Sequence, residues 1–530
     1  MSLFPTLYDE GLILTGAMRV AAGQIPHRDF YANYGPGQFY TLAGLFKLFG
    51  ESILVERLYD TFLKALLVTF IYTITSSYSR KSVAAGTSIV TVLWLFGLND
   101  TAGTPLIPVS LLNLVASILI LPIFFRPISR RRMLAAGAVA GGSALFRYDT
   151  GIALLGIHAC AIAIAVCLQV RGIPDRLRTF ASSFWPYLVG FAAVTLAALF
   201  YFLSVSTLHP FIYDIILYPS KYYHRGRNLP FPGISFRELD NIGIYLPIAT
   251  IAISIYVIVA HRYQARRNNS STSESTSEEQ KWHGFLITFA LLALVMYFKG
   301  LVRVSLIHMY LSIIPSLLLI AILFQHRLTL SRPVRISVTA LVWVSILAAG
   351  LSGLREARLL YVRHESVPES ILLSARHTLP KTQAAWCKTD NALTRSFCFS
   401  PDDDHIQTIE FIDSHTTPDQ KLFVGQTEHD RIFINDNLIY FATQRLPATK
   451  WSHFDPGLQN SYEIQTQMVN ELEVNAPPYI VLDSQFDLIR EPNDSSKSTG
   501  VTLLDEYIRN KYQRATTFGE MSIWQRINPR

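Results

Sequence analysis

The chain has 530 residues, of which half are apolar and only 16% are charged, and its formal net charge is +7. A soluble protein normally carries about 25% charged residues, so this composition excludes an ordinary soluble enzyme. The positive charge does not indicate nucleic-acid binding, because the basic residues cluster in short loops between apolar segments, as in multi-pass membrane proteins. Only four cysteines are present, which argues against a disulfide framework or a cysteine-based zinc site.

The stretch from Tyr8 to Gly50, which contains a polar and aromatic turn between two more apolar runs, precedes the first long apolar segment. It begins with the adjacent acids Asp9 and Glu10, which open a short helix-like run that ends at Gly23. From its position alone, Asp9 is a candidate helix cap. A carboxylate at a membrane surface is also suited to act as a general base. The two interpretations are compatible, because a capping carboxylate can still accept a proton.

Ten segments have the length and hydropathy of membrane-spanning helices. They are residues 60–79, 83–98, 106–125, 133–147, 150–169, 183–203, 242–260, 284–298, 309–325 and 336–353. The basic loops between them alternate onto one side, which we predict to be cytoplasmic, with a disordered loop at 268–280. The same alternation predicts that the N-terminal stretch, residues 204–241, residues 299–308 and the C-terminus face outward.

After residue 354 the composition changes to that of a soluble domain. Helix-like and strand-like segments alternate there, which predicts a small extracytoplasmic α/β domain. The predicted helices are 406–414, 435–443, 463–474 and 503–511, and the predicted strands are 421–425, 479–482 and 522–526. The expected domains are therefore a first outer loop (1–57), a membrane domain (58–353) and a separable α/β domain (354–530). A disulfide between Cys387 and Cys398 is permitted on the outer side.

Several basic side chains fall on the predicted outer side: Arg147, Lys299, Arg303, His308, Lys221 and Arg225. Ionisable groups at membrane depth usually mark a binding pathway, and Arg and Lys recognise phosphate well. Together these residues predict an anionic ligand such as a phosphate. Simpler interpretations stay open, in which Arg147 pairs with Asp149, Lys299 extends to the interface and His308 is structural. Asp402-Asp403-Asp404-His405 is interpreted as a solvated turn before a helix, so no metal site is predicted.

Three motifs follow the acidic pair within the first fifty residues. They are Gly-x-x-Pro-x-Arg-Asp-Phe from Gly23, Tyr-Gly-Pro-Gly from Tyr34 and Leu-Phe-Lys-Leu-Phe-Gly from Leu45. Their order resembles the first outer loop of GT-C glycosyltransferases, most of all the bacterial branch related to protein O-mannosyltransferases and the lipid A aminoarabinose transferase. The run from Arg303 to His308 before a proline-containing helix also resembles this branch, but Ser305 stands where an acid is expected.

The resemblance implies an α-helical polytopic enzyme of the bacterial cytoplasmic membrane, with its active site on the extracytoplasmic face. Such enzymes take a sugar from a polyprenyl-phosphate donor and transfer it to a lipid, glycan or protein acceptor. Asp9 is then the expected general base beside Glu10, and the six basic residues are expected to bind the donor phosphate. His27, Arg28, Asp29 and Tyr34 are expected to face the sugar or the acceptor. No cofactor, nucleotide sugar or metal is expected. The resemblance implies a helix ahead of the acidic pair, so either an upstream helix is missing from this sequence or the first spanning helix translocates the N-terminal tail.

Other functions remain compatible with the sequence. A transporter would use the same charged residues as a substrate path, but transporters usually show inverted repeats and broken helices, which are not evident here. A ligase or polymerase of lipid-linked glycans is chemically closer to the predicted enzyme. A non-catalytic protein that only binds lipid-linked glycans also stays open.

Overall fold

The computed structural model describes residues 8–97, 103–205, 208–233, 241–267, 277–362, 386–388, 397–399 and 403–527. Most of the predicted disordered loop at 268–280 lies outside these ranges. The helices of the membrane part are α1 (Asp9–Ala21), α2 (Pro36–Phe49), α3 (Ile53–Tyr78), α4 (Lys81–Gly97), α5 (Leu106–Ile120), α6 (Arg130–Phe146), α7 (Tyr148–Gln169), α8 (Ile173–Ser204), α9 (Leu208–Ile212), α10 (His224–Arg227), α11 (Ile242–Arg267), α12 (Ser277–Gly300), α13 (Leu306–Gln325) and α14 (Arg332–Val362).

Eight of the described helices are long and apolar enough to cross a membrane: α3, α5 with its extension to Phe124, α7, α8, α11, α12, α13 and α14. The two other predicted spans correspond to α4 and α6, which have 17 residues each. All ten segments are therefore helical, but about ten spans are not confirmed. Helix α6 packs through small residues, because a Cβ on Gly137 would lie 1.9 Å from the carbonyl oxygen of Tyr187.

The loops separate to the two ends of this bundle. At one end the backbone N–H of Arg80 donates to Gln325 Oε1 (3.2 Å), and the ring of Trp282 contacts those of His261 and His326, with centroids 5.2 Å and 4.8 Å apart. Segments that the charge pattern predicts to share one side therefore meet in space. The opposite end carries the first outer loop and the C-terminal domain.

A four-stranded sheet forms the centre of the C-terminal domain. Its strands are β3 (Phe423–Gln426), β4 (Tyr479–Asp483), β5 (Tyr512–Phe518) and β6 (Met521–Arg526), in the order β3-β4-β6-β5. The β3–β4 pair is parallel and the others are antiparallel. The helices are α15 (Asp403–His415), α16 (Leu438–Thr443), α17 (Tyr462–Asn475) and α18 (Leu503–Lys511). Every predicted helix and strand of this domain is confirmed, and β5 is an additional strand.

Two short strands precede this sheet, β1 (Trp386–Lys388) and β2 (Phe397–Phe399). They pair antiparallel, with Cys387 opposite Cys398 in the register. The disulfide between these cysteines stays a prediction.

The first outer loop and the C-terminal domain share one hydrophobic core. Leu14 and Phe39 from the loop are buried together with Ile439 and Val481 from the domain. The contact is close, since a Cβ on Gly11 would lie 2.6 Å from the backbone nitrogen of Leu438. Residues 403–527 thus pack directly against the loop, and the separability of the domain stays a prediction.

Candidate functional site

The acidic pair lies in the first turn of α1, but its two members have different surroundings. The helix begins at Asp9, and the cap position is Tyr8, which makes no side-chain capping hydrogen bond. The interpretation of Asp9 as the cap is therefore wrong. Glu10 is fully buried and bound by the guanidinium of Arg57, whereas Asp9 is only half-buried. Of the two acids, Asp9 is the one that solvent or a substrate can reach.

More acids gather around Arg57 early in α3. Glu56 Oε2 lies 3.5 Å from Arg57 Nε, and Asp60 pairs with Lys64 Nζ at 2.7 Å. The Glu56 carboxylate is buried and has no hydrogen-bond partner among the described residues. The sequence reasoning missed this group, although several charges at the start of a spanning helix are a recognisable signal of function.

A second group joins two cations to one carboxylate. Arg147 Nη2 and Lys299 Nζ lie 3.3 Å and 3.1 Å from Asp149 Oδ2. The predicted Arg147–Asp149 pair is therefore present, and Lys299 uses the same carboxylate rather than only extending to the interface. Two positive charges against one negative charge leave this group with one unit of excess positive charge. Since the Asp149 side chain is 51% exposed, the group is open to an incoming anion.

Arg303 lies in the segment between α12 and α13, and His308 lies in the first turn of α13. Arg303 binds both carboxylate oxygens of Glu491, at 2.8 Å and 2.6 Å, and thereby links this segment to the C-terminal domain. His308 Nδ1 lies 2.7 Å from the hydroxyl of Ser305, which also caps α13. The residue that stands in place of the expected acid thus has a structural role. The phosphate-binding role of Arg303 and His308 stays a prediction.

The loop after α9 contributes a residue that the sequence reasoning did not select. Lys221 and Arg225 are exposed, while Arg227 is buried and pairs with Asp455 Oδ1 at 2.8 Å. Asp455 Oδ2 also accepts hydrogen bonds from Tyr31 (3.0 Å) and from Asn33 (3.1 Å). Asp455 therefore links the first outer loop, the segment from α9 to α10 and the C-terminal domain. No local pattern identifies a pair so distant in sequence.

Two half-buried tyrosines lie close to these charged groups. Burial raises the pKa of Tyr34 well above its ordinary value, the charge of Asp9 raises this pKa further, and Arg147 lowers it. Burial and Asp455 raise the pKa of Tyr223, which Arg227, Arg147 and Arg303 lower. Such effects require short distances.

The Arg147 guanidinium also lies 5.9 Å from the centre of the Tyr34 ring. Arg147 is thus close to the tyrosine on which the Asp9 charge acts. Tyr34 therefore lies close to both the half-buried acid and the cationic group.

The remaining predicted residues lie beside this site. His27 is buried, with Nδ1 2.9 Å from Asp214 Oδ2 and Nε2 2.8 Å from the hydroxyl of Tyr148. That hydroxyl also donates to the carbonyl of Tyr34 at 3.2 Å. Arg28 and Asp29 pair with each other, and their side chains are 42% and 28% exposed. A role for these four residues in binding the sugar or the acceptor stays a prediction.

The acidic run before α15 differs from its prediction in one respect. His405 is buried and its Nε2 lies 2.7 Å from Asp436 Oδ2, so it is not part of a solvated turn. Among the described residues, no group of three or more His, Cys, Asp or Glu side chains is arranged to hold a metal ion.

No protein-family model and no curated protein sequence matches this chain. Among solved structures, it is similar to ArnT from Cupriavidus metallidurans bound to undecaprenyl phosphate, with a TM-score of 0.52, 12% identity, and coverage of 98% of this chain and 95% of that one. The apo structure of the same protein gives a TM-score of 0.53 at 14% identity, with 98% and 94% covered. An oligosaccharyltransferase from Archaeoglobus fulgidus gives a TM-score of 0.42 at 12% identity, with 90% and 64% covered. The chain therefore has the fold of ArnT, in agreement with the fold class that the sequence predicts.

Proposed function

We propose that the protein is an integral membrane glycosyltransferase that transfers a sugar, a hexose or a pentose, from a polyprenyl-phosphate donor to an acceptor hydroxyl. The observation that carries the proposal is the pairing of Arg147 and Lys299 with the single carboxylate of Asp149, in the same region as Asp9. The fold agrees with it, because one of the ArnT structures holds undecaprenyl phosphate.

The candidates for binding the donor phosphate are ranked by how fully a neighbouring carboxylate neutralises each of them. Arg227 is matched by Asp455 and Arg303 by Glu491, each in a close pair. Arg147 and Lys299 together have one excess positive charge, and their side chains are 23% and 20% exposed. A phosphate group gains most where cations are incompletely neutralised and partly shielded from water. We therefore assign the phosphate first to Arg147 and Lys299, and only then to Arg303, His308, Lys221 and Arg225.

The proposed reaction is a direct displacement with inversion at the anomeric carbon. Asp9 accepts the proton of the acceptor hydroxyl while the hydroxyl oxygen bonds to the anomeric carbon. The bond between that carbon and the phosphate oxygen breaks, and its electron pair leaves with the polyprenyl phosphate. Arg147 and Lys299 stabilise the negative charge that develops on this leaving group. None of these steps uses a cofactor or a nucleotide.

The proposed location is the bacterial cytoplasmic membrane, with the site and the C-terminal domain on the extracytoplasmic side. The basic loops support this orientation, because the segments around Arg80, His261 and His326 meet at the end of the bundle that is opposite the site. A donor whose polyprenyl chain lies in the membrane would then present its phosphate to Arg147 and Lys299 at the ends of α6 and α12.

The test uses purified full-length protein in lipid nanodiscs with an undecaprenyl-phosphate sugar. We expect release of undecaprenyl phosphate when membrane extract supplies the acceptor, and we expect binding of undecaprenyl phosphate that Arg147→Ala weakens. Arg335→Ala is the matched control, because Arg335 lies at the other end of the bundle, near the start of α14. Binding without any release of product would instead support a transporter or a non-catalytic binder.

A further inference from the structure

One continuous helix, residues 208–227, crosses the end of the bundle that carries the C-terminal domain. It consists of α9, two π-helical turns and α10. Near its start, the ring of Phe211 stacks on that of Phe202 in the last turn of the spanning helix α8, with centroids 5.2 Å apart. At its end, the carbonyl of Arg227 accepts a hydrogen bond (3.0 Å) from Arg303, which follows α12. Because both ends are held at the ends of spanning helices, this helix lies along the membrane surface.

One face of this helix is covered by the first outer loop and the C-terminal domain. Asp214 Oδ2 lies 2.9 Å from His27 Nδ1, and the hydroxyl of Tyr218 donates to the carbonyl of Pro456 at 3.0 Å. Asp214 and Tyr218 are both buried. Only the opposite face is therefore available to another partner.

That opposite face carries a stripe of uncovered apolar side chains. Its members are between 37% and 55% exposed, and they are Leu208, Ile212, Ile216 and Leu217. Residues that recur every four or five positions lie on one side of a helix with π-helical turns. A contiguous apolar patch on the surface is typical of a site that contacts a protein or a membrane.

The position of the stripe favours lipid over a protein partner. Helix α8 is long and apolar enough to cross a membrane, and Phe200, Tyr201 and Leu203 in its last turn are exposed. Apolar side chains that face outward from a spanning helix contact lipid. Since only residues 205–207 separate α8 from α9, the stripe begins directly beside this lipid-facing turn.

The stripe ends in two cations, Lys221 and Arg225, which continue its spacing and are exposed. Arg227 and Arg303 each pair with a carboxylate, whereas neither Lys221 nor Arg225 forms such a pair within the described part of the chain. On interfacial helices, Lys and Arg extend to the lipid headgroups while apolar side chains enter the acyl region. A stripe that is first apolar and then cationic therefore fits a bilayer that contains anionic phospholipids.

We propose that residues 208–227 form an interfacial helix that binds the phospholipids of the membrane and prefers anionic headgroups. The apolar stripe lies against acyl chains, and Lys221 and Arg225 bind lipid phosphates. The proposal does not rest on the proposed function, but it removes these two residues from the candidates for the donor phosphate. The lipid contact also holds the helix beside the proposed site, because its covered face binds His27 through Asp214 and Asp455 through Arg227.

The test is photo-crosslinking in nanodiscs that contain equal amounts of phosphatidylcholine and phosphatidylglycerol. Full-length protein with benzoylphenylalanine in place of Ile216 is irradiated, and mass spectrometry identifies the adducts. We expect phospholipid adducts in which phosphatidylglycerol is enriched, because each basic side chain near an anionic surface contributes about fivefold. Val474 is the matched position, since it is apolar and 84% exposed but lies on α17 of the C-terminal domain, and it should give few adducts.

A second arm removes the charges and keeps the apolar stripe. The double variant Lys221→Gln/Arg225→Gln should still give adducts at position 216, but the ratio of phosphatidylglycerol to phosphatidylcholine should fall by on the order of 5- to 25-fold. Lys497→Gln is the control, because its side chain is 75% exposed on the C-terminal domain, and it should leave the ratio unchanged.

The proposal is overturned if position 216 gives no phospholipid adduct, if position 474 gives as many, or if the double variant keeps the wild-type ratio. Added undecaprenyl phosphate separates the two sources of a lipid phosphate. Phospholipid adducts at position 216 should persist, and their replacement by undecaprenyl-phosphate adducts would overturn the proposal. Binding of undecaprenyl phosphate by Arg147→Ala tests the proposed function alone, whatever the adducts at position 216 are.

Discussion

The carboxylate of Glu10 and the guanidinium of Arg57 form a buried bidentate ion pair, with Nε–Oε1 at 2.5 Å and Nη2–Oε2 at 2.7 Å. This pair fastens the first turn of α1 to the start of α3. It also distinguishes Glu10 from Asp9 in function, although the two acids are adjacent in the sequence. Both oxygens of Glu10 are engaged, and the half-buried Asp9 remains the better candidate to accept a proton from a substrate.

The first prediction concerns the stability of this pair. Arg57→Gln leaves the buried carboxylates of Glu10 and Glu56 without their cation and should cost about 3–5 kcal/mol of unfolding free energy. Glu10→Gln should cost about 1.5–3 kcal/mol, the scale of a charge-assisted hydrogen bond, because Glu56 can still balance Arg57. Thermal unfolding in detergent measures both variants. A larger loss in Glu10→Gln than in Arg57→Gln would contradict this assignment.

The second prediction is that removing one charged side chain strengthens ligand binding. Asp149→Asn removes the carboxylate that competes with phosphate for Arg147 and Lys299, so it should tighten binding of undecaprenyl phosphate. Lys299→Ala should weaken that binding by about 1.5–3 kcal/mol, roughly 10- to 150-fold. Arg303→Ala is the comparison, and we expect a smaller loss because Glu491 already neutralises Arg303. Weaker binding in Asp149→Asn would place the phosphate elsewhere.

The third prediction is that the free energy of unfolding depends on pH through one residue of the C-terminal domain. Burial and then the charge of Asp436 raise the pKa of Asp483 to about 7. The folded state therefore binds this proton more tightly than the unfolded state, whose pKa is about 3.9. Stability from this group is fully present below pH 4 and is lost as the pH rises towards 7, by on the order of 2–4 kcal/mol.

Asp483→Asn tests this dependence directly. The variant should be more stable than the wild type above pH 7, and the difference should shrink as the pH falls towards 4. Asp494→Asn, whose side chain is 47% exposed, serves as the control and should leave the profile unchanged. Parallel Tm profiles of wild type and Asp483→Asn between pH 4.5 and 8 would contradict the predicted pKa.

The fourth prediction is the membrane topology. Because the basic loops meet at one end of the bundle, reporter fusions after residues 80, 130, 175 and 330 should report the cytoplasm. Fusions after residues 220 and 400 should report the outer side. A cytoplasmic signal from the fusion after residue 400 would overturn the orientation and with it the outward placement of Asp9.

The helices of the membrane part could be predicted because their signal is local. A spanning helix such as Leu306–Gln325 is visible in the sequence as a long run of apolar residues. The strands Phe423–Gln426 and Tyr479–Asp483 are short buried apolar runs. The strand Tyr512–Phe518 was missed because its residues are largely polar and exposed, and only pairing with β6 holds it in place.

The candidate site was only partly predictable. Asp9, Arg147 and Lys299 stand out because they are charges at the ends of apolar segments. Arg227 and Asp455 do not, since neither residue has a distinctive neighbourhood in the sequence and the pair exists only after the C-terminal domain docks.

The last prediction tests the central claim, that Asp9 is the general base. Asp9→Asn keeps the size of the side chain, and Asp9 is not the helix cap, so the variant should fold and bind undecaprenyl phosphate as the wild type does. The decisive measurement is the rate of undecaprenyl-phosphate release from the sugar donor by purified wild type and Asp9→Asn of equal thermal stability. We predict a rate lower by about 100- to 10,000-fold, the usual contribution of such a base. A wild-type rate in Asp9→Asn would remove Asp9 as the base.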